Sequence, residues 1–171
     1  FKQHIHDADG EFLQEASGTL AVKRPGMFYW HTLQPYEHVL VSDRITMWLY
    51  DVDLEQINRK PFSADLDKAP ALLLSGELEE IQKHYQITVN HKDAQSGTLV
   101  EFTLTPLSDD GVFSTLTIVF GKPFIDSMSL VDSFGQITTI QFSDVILNPQ
   151  VADSQFTFVP PAGVDVISDE P

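Results

Sequence analysis

The sequence predicts a mainly β fold, an antiparallel meander of about eleven strands broken once by short helices. Three observations carry this expectation. Short runs of β-branched and aromatic residues recur from position 1 to 167, punctuated by Gly, Pro, Asp and Asn. Within the runs apolar and polar side chains alternate with period two, as on a pleated strand. Helix-like patterning is confined to positions 63–84.

The elements follow in order. Strands at 1–5 and 11–24 flank Asp7-Ala8-Asp9-Gly10, where Asp-Gly suits a tight hairpin because Gly accepts positive φ. The same spacing echoes a calcium loop, but the later oxygen ligands and the closing glutamate are missing, so the hairpin is preferred. A turn at Pro25-Gly26 leads to strands at 27–32, 38–42 and 46–52, with Ser42-Asp43 reading as a turn. In the interruption, Ser63-Ala64-Asp65-Leu66 caps a helical turn, and Ala71-Leu72-Leu73-Leu74 is a compact apolar segment ended by Gly76. Glu77 to Gln82 then opens acidic, as a helix start should. Strands resume at 85–90, 98–105, 113–120, 125–132, 137–147 and 155–159. Along them Leu116, Ile118 and Phe120 oppose Thr115 and Thr117, and Val100, Phe102 and Leu104 oppose Glu101 and Thr103. One wall is apolar, which fits either a filled core or a sheet curled around a ligand cavity.

A chain of 171 residues is one domain by size, 1–171, able to bury roughly two thirds of its unfolded surface. Ten Lys plus Arg against 25 Asp plus Glu leave a net charge of −15, which argues against nucleic acid or an anionic membrane as partner. With no cysteine there is no disulfide, thiolate nucleophile or cysteine metal site, and the redox compartment stays undetermined. No apolar run approaches the ~18 residues of a transmembrane helix. The chain shows no signal peptide and does not open on Met, which reads as processing or truncation.

Candidate chemistry is sparse. Of six histidines, His4 and His6 share a strand face in metal-compatible geometry, yet two histidines beside a hairpin are more often polar surface, and no metal is expected. No zinc-protease helix, phosphate loop, dinucleotide fingerprint or nucleophile elbow is present, so neither catalysis nor a cofactor has a candidate. The aromatic cluster of Phe28, Tyr29, Trp30, Tyr36, Trp48 and Tyr50 has too few Lys and Arg around it to be a base-stacking platform. It fits an acyl-chain wall or a packed core equally.

One basic residue stands out. Period two puts Leu20, Val22 and Arg24 on one side of their strand, aiming a guanidinium where the apolar residues point. Either Arg24 is buried against carbonyls or a carboxylate, or it snorkels to water at a strand end. The surrounding residues are Val22-Lys23-Arg24-Pro25, Phe28, Trp30-His31, Gln34-Pro35, Glu37, Leu40-Val41-Ser42-Asp43 and Trp48 to Asp51. They continue through Leu54-Glu55-Gln56, Phe102 to Pro106 and Phe156 to Val164. This pattern resembles the LolA family, the periplasmic outer-membrane lipoprotein carriers of Gram-negative bacteria. The resemblance covers essentially the whole chain. It departs at the start, where the family opens with a helix that this chain lacks, so part of a lid is expected to be missing.

The resemblance implies an unclosed antiparallel β-barrel with short lid helices over an apolar cavity. It also implies a non-enzymatic periplasmic chaperone. Such a carrier takes triacylated lipoproteins from an inner-membrane ABC-type lipoprotein-releasing transporter and delivers them to an outer-membrane lipoprotein acceptor, as a monomer when intact. Arg24 would be the lid latch, with Leu20, Val22, Trp30, Leu72, Leu73, Leu116, Ile118 and Phe120 lining the acyl-chain cavity and Phe28 docking the partners. Two rivals share parts of this picture: an acceptor-like half-barrel for another amphiphile, disfavoured without a lipid-attachment cysteine, and a lipid esterase, which needs a serine beside a histidine facing the cavity.

Overall fold

The computed structural model describes residues 1–62, 78–94, 97–108, 113–121 and 124–168. In chain order these form β1 (Lys2–His6), β2 (Phe12–Lys23), β3 (Met27–Gln34), β4 (His38–Asp43), β5 (Thr46–Asp51) and β6 (Gln56–Pro61). There follow helix α1 (Leu78–His84), β7 (Tyr85–Ala94), β8 (Gly97–Pro106), β9 (Phe113–Gly121), β10 (Phe124–Asp132), β11 (Ile137–Gln141), a 3-10 turn at Asp153–Phe156, and β12 (Asp165–Ser168). The fold is mainly β and its sheet is unclosed, with β12 and β7 as edge strands. The chain divides into two compact units, Phe1–Glu15 with Leu78–Pro149 and Ala16–Glu77 with Gln150–Pro171; β2 runs through both.

The first unit carries the strand order β2-β1-β11-β10-β9-β8-β7. Its β1–β2 turn is a hairpin, since the Asp7 carboxylate accepts the backbone N–H groups of Asp9 at 3.0 Å and Glu11 at 2.8 Å while Gly10 takes φ +86°. Asp132 repeats the device between β10 and β11, accepting from Phe134 and Gln136, both at 2.8 Å. The expected helical turns at 63–66 and 71–74, Leu72 and Leu73 among them, lie outside the described residues. Helix α1 takes the position of the acidic helix start and carries Lys83 and His84 in its last turn, where positive charge meets exposed carbonyls. Strand β11 is shorter than the 137–147 expected. Its partner β1 pairs with it only from Lys2↔Gln141 to His6↔Ile137, and beyond that no ladder is offered.

The second unit carries the order β12-β6-β5-β4-β3-β2. Two of its strands were not expected. β6 is nearly all polar, with Ile57 its one aliphatic residue, and β12 is four exposed residues that pair with β6 in parallel, from Asp165↔Gln56 to Ser168↔Arg59. The sheet is therefore antiparallel except at this edge. The strand expected at 155–159 is instead the 3-10 turn and the extended segment after it. Phe156 and Phe158 produce a strand-like alternation, but they serve to cover a sheet face rather than to join the ladder. Phe156 is fully buried, and the Phe158 ring lies 5.7 Å from Trp48 and 5.9 Å from Tyr50.

Candidate functional site

Register decides which side chains of the second unit share a face. Tyr29, Val41, Trp48 and Arg59 lie opposite one another across β3 to β6, as do His31, Val39, Tyr50 and Ile57. This is the packed face, where Val41 and Ile57 are fully buried, Arg59 lies 5.4 Å above the Trp48 ring, and the segment around Phe156 covers the sheet. Lys23 ties that segment down, donating from Nζ to the Val151 carbonyl at 3.0 Å and to the Asp153 carboxylate. The Lys23 hydrogen bond, and then its charge, hold the Asp153 carboxyl below its usual range.

The other face is different. Leu20, Trp30, Leu40 and Leu49 lie in register across β2 to β5, with Val22 one step along. Leu20, Trp30 and Leu40 are only half-buried, while Val22 is 39% and Leu49 42% exposed. A row of large apolar side chains thus faces away from the unit's own core and is incompletely covered. An apolar surface of this kind gains free energy from any apolar guest, at about 25 cal/mol per Å² buried.

One end of this face is closed. Phe28 is 1% exposed, its ring 6.3 Å from that of Phe62, and Ser42 beside it is fully buried. Phe28, expected to dock the partners, is placed in the interior. It is a core residue here, because Phe62 covers the ring that an edge position would have left free. For Arg24 the structure takes the exposed one of the two alternatives. β2 ends at Lys23, Arg24 sits exposed in the turn before β3, and a guanidinium in water needs no buried partner. The peptide bonds preceding Pro25 and Pro35 are cis.

In the first unit, Leu116 and Ile118 are buried, 2% and 6% exposed. β9 is an interior strand, and its side chains meet neighbours on both flanks: Leu104 and Leu130 beside Leu116, Phe102 and Met128 beside Ile118. Phe120 is half-buried, edge-on to Phe102 at 5.5 Å between ring centres. Leu72 and Leu73 fall outside the described residues. Sequence reasoning missed Leu40 and Leu49. Their signal was the alternation in 38–42 and 46–52, which becomes legible only once the register with Trp30 is known.

Three of the six histidines lie beside carboxylates. His4 lies 2.9 Å from Glu15, His31 2.8 Å from Glu37 and His38 3.5 Å from Asp51. No group of three or more possible metal ligands gathers among the described residues. No helix among them is long and apolar enough to cross a membrane.

An unclosed, mainly β sheet with a partly exposed apolar row defines a class: an open β-sheet protein that leaves large apolar side chains on one face. The particular family follows from comparison. Residues 1–159 match the family described as outer membrane lipoprotein carrier protein LolA. An outer-membrane lipoprotein carrier protein of Pseudomonas putida GB-1 is 45% identical over 169 residues, 99% of this chain and 80% of that protein. Its counterpart in Azotobacter vinelandii is 44% identical with the same coverage. A solved structure of an uncharacterized conserved protein from Thermus thermophilus aligns with a TM-score of 0.54 at 13% identity, over 98% of this chain and 89% of that one, a likeness of fold alone. The chain belongs to the LolA family of outer-membrane lipoprotein carriers, and is a carrier-type protein rather than an enzyme.

Proposed function

We propose that this chain is a single carrier domain, 1–171, that shuttles triacylated lipoproteins through the periplasm from an inner-membrane ABC-type transporter to an outer-membrane acceptor. The observation that carries the reading is the apolar row Leu20, Val22, Trp30, Leu40 and Leu49, which lies opposite the packed face and is left partly uncovered. Family membership supports lipoprotein as the cargo and the two membranes as the ends of the route. Burying a methylene is worth about 0.8 kcal/mol, so three fully buried acyl chains would contribute tens of kcal/mol, more than a reversible carrier could release. An open face that covers its guest incompletely meets this limit. Arg24 is the proposed latch, an arginine whose bonds in the empty state oppose loading and so favour handover.

The test is binding of a fluorescent fatty acid, expected at roughly micromolar affinity with quenching of Trp30, and weakened by Leu40→Asp or Leu49→Asp. No binding, or equal binding by these variants, would overturn the assignment of the surface.

A further inference from the structure

The turn that carries Arg24 is held from beneath by a hydroxyl. Ser42 is the one polar residue among the fully buried side chains described, set on β4 opposite Phe28 and Met47. A hydroxyl in that position costs free energy unless it is bonded, and alanine would serve the packing as well. Ser42 Oγ donates to the Gly26 carbonyl at 2.8 Å and accepts the Arg44 backbone N–H at 3.3 Å. One side chain thus joins the β2–β3 turn to the β4–β5 turn.

The turn is closely packed at Gly26. This glycine takes φ +67°, and a Cβ added there would lie 3.1 Å from Phe62 Cε1 and 3.6 Å from Arg44 Cγ. Phe62 is in turn fixed by its backbone N–H on the Ile45 carbonyl at 2.9 Å. The arginine itself is exposed, and among the described residues no contact of its side chain sets its direction. The backbone of its turn does so.

We infer that Ser42 is a positioning residue for Arg24, fixing the turn from which the guanidinium acts during release of cargo. This rests on the carrier reading and its latch. Removing the hydroxyl leaves the Gly26 carbonyl without its donor and frees the turn, while the apolar row is untouched.

The experiment follows transfer of a triacylated lipoprotein to the outer-membrane acceptor, with fatty-acid affinity and Tm measured alongside. Ser42→Ala is expected to slow transfer roughly five-fold, the factor one net hydrogen bond represents, with fatty-acid affinity unchanged. Ile57→Val, a buried change on the packed face, is expected to lower Tm comparably and leave transfer intact, which separates positioning from stability. In an Arg24→Leu background Ser42→Ala should lower Tm as before yet slow transfer no further. Slowing by Ser42→Ala in both backgrounds, or by Ile57→Val as well, would overturn the inference. So would normal transfer by Ser42→Ala beside a defective Arg24→Leu. Normal transfer by Arg24→Leu would overturn the latch itself, and the wild-type fatty-acid titration reports independently on the carrier surface.

Discussion

Phe28 and Trp30 sit two residues apart on the same face of β3 and differ in what covers them. Phe28 lies under Phe62, whereas Trp30 is half-buried in the open row. Phe28→Ala should therefore cost about 3–5 kcal/mol of stability in urea unfolding, and Trp30→Ala distinctly less. The fatty-acid titration should rank them the other way, with Trp30→Ala losing more affinity; the same ranking in both measurements would mean that the row is simply core. For Arg24, replacement by leucine removes up to five donors while keeping an aliphatic body. Loading should persist and transfer to the acceptor should fall roughly ten-fold or more, since each charge-assisted bond contributes about 1.5–3 kcal/mol. Wild-type transfer rates in a reconstituted assay would rule this out.

Two elements depend on contacts that a list of residue types does not show. β2 and β3 shift register between Ser17 and Gly18, and there a Cβ on Gly18 would fall 1.9 Å from the His31 carbonyl oxygen. Gly18→Ala should force the two strands apart and cost about 3 kcal/mol. Gly10→Ala should cost only about 1 kcal/mol, because Gly10 at φ +86° meets nothing within 4 Å and only the backbone conformation resists. Denaturant midpoints compare the two directly. The segment around Phe156 is held by aromatic burial and by Lys23, whose bond lowers the Asp153 pKa. A carboxylate with a depressed folded-state pKa stabilises above its unfolded value, and that stability is lost as pH falls through the folded value. The Tm gap between wild type and Asp153→Asn should thus be full at neutral pH and vanish at pH well below 3.8, the ordinary value for the group. A gap that persists in acid would show that the ion pair is not what Asp153 contributes.

At the scale of the molecule, a carrier must bind apolar chains tightly enough to keep them from water and loosely enough to give them up. An unclosed sheet serves this, since strands at its edges need not close around the guest. A net charge of −15 is repelled by anionic surfaces and favours solubility. The packed face of the second unit then has a clear purpose. It places Val41, Ile57 and Phe156 in a core of their own, so the packing of the unit does not require the row on its other side to be buried.

Local chemistry made much of this legible in the residue order. Ten of the twelve strands announced themselves through β-branched alternation, and the hairpin at Asp7-Ala8-Asp9-Gly10 through the one residue that takes positive φ freely. The family pattern from Val22 to Asp51 pointed to the carrier class. β6 was silent because its residues are nearly all polar, and β12 because it is four exposed residues; the two are held by backbone pairing with each other, which leaves little trace in side-chain type. The segment at 155–159 misled because an aromatic alternation looks the same whether it joins a ladder or lies across one. Burial could not be read either: Phe28 and Trp30 share a face of β3, yet distant parts of the chain cover the first and leave the second half-buried. Period two assigns side chains to a face. Only register and the segments packed against that face determine whether water, another side chain or a guest meets them there.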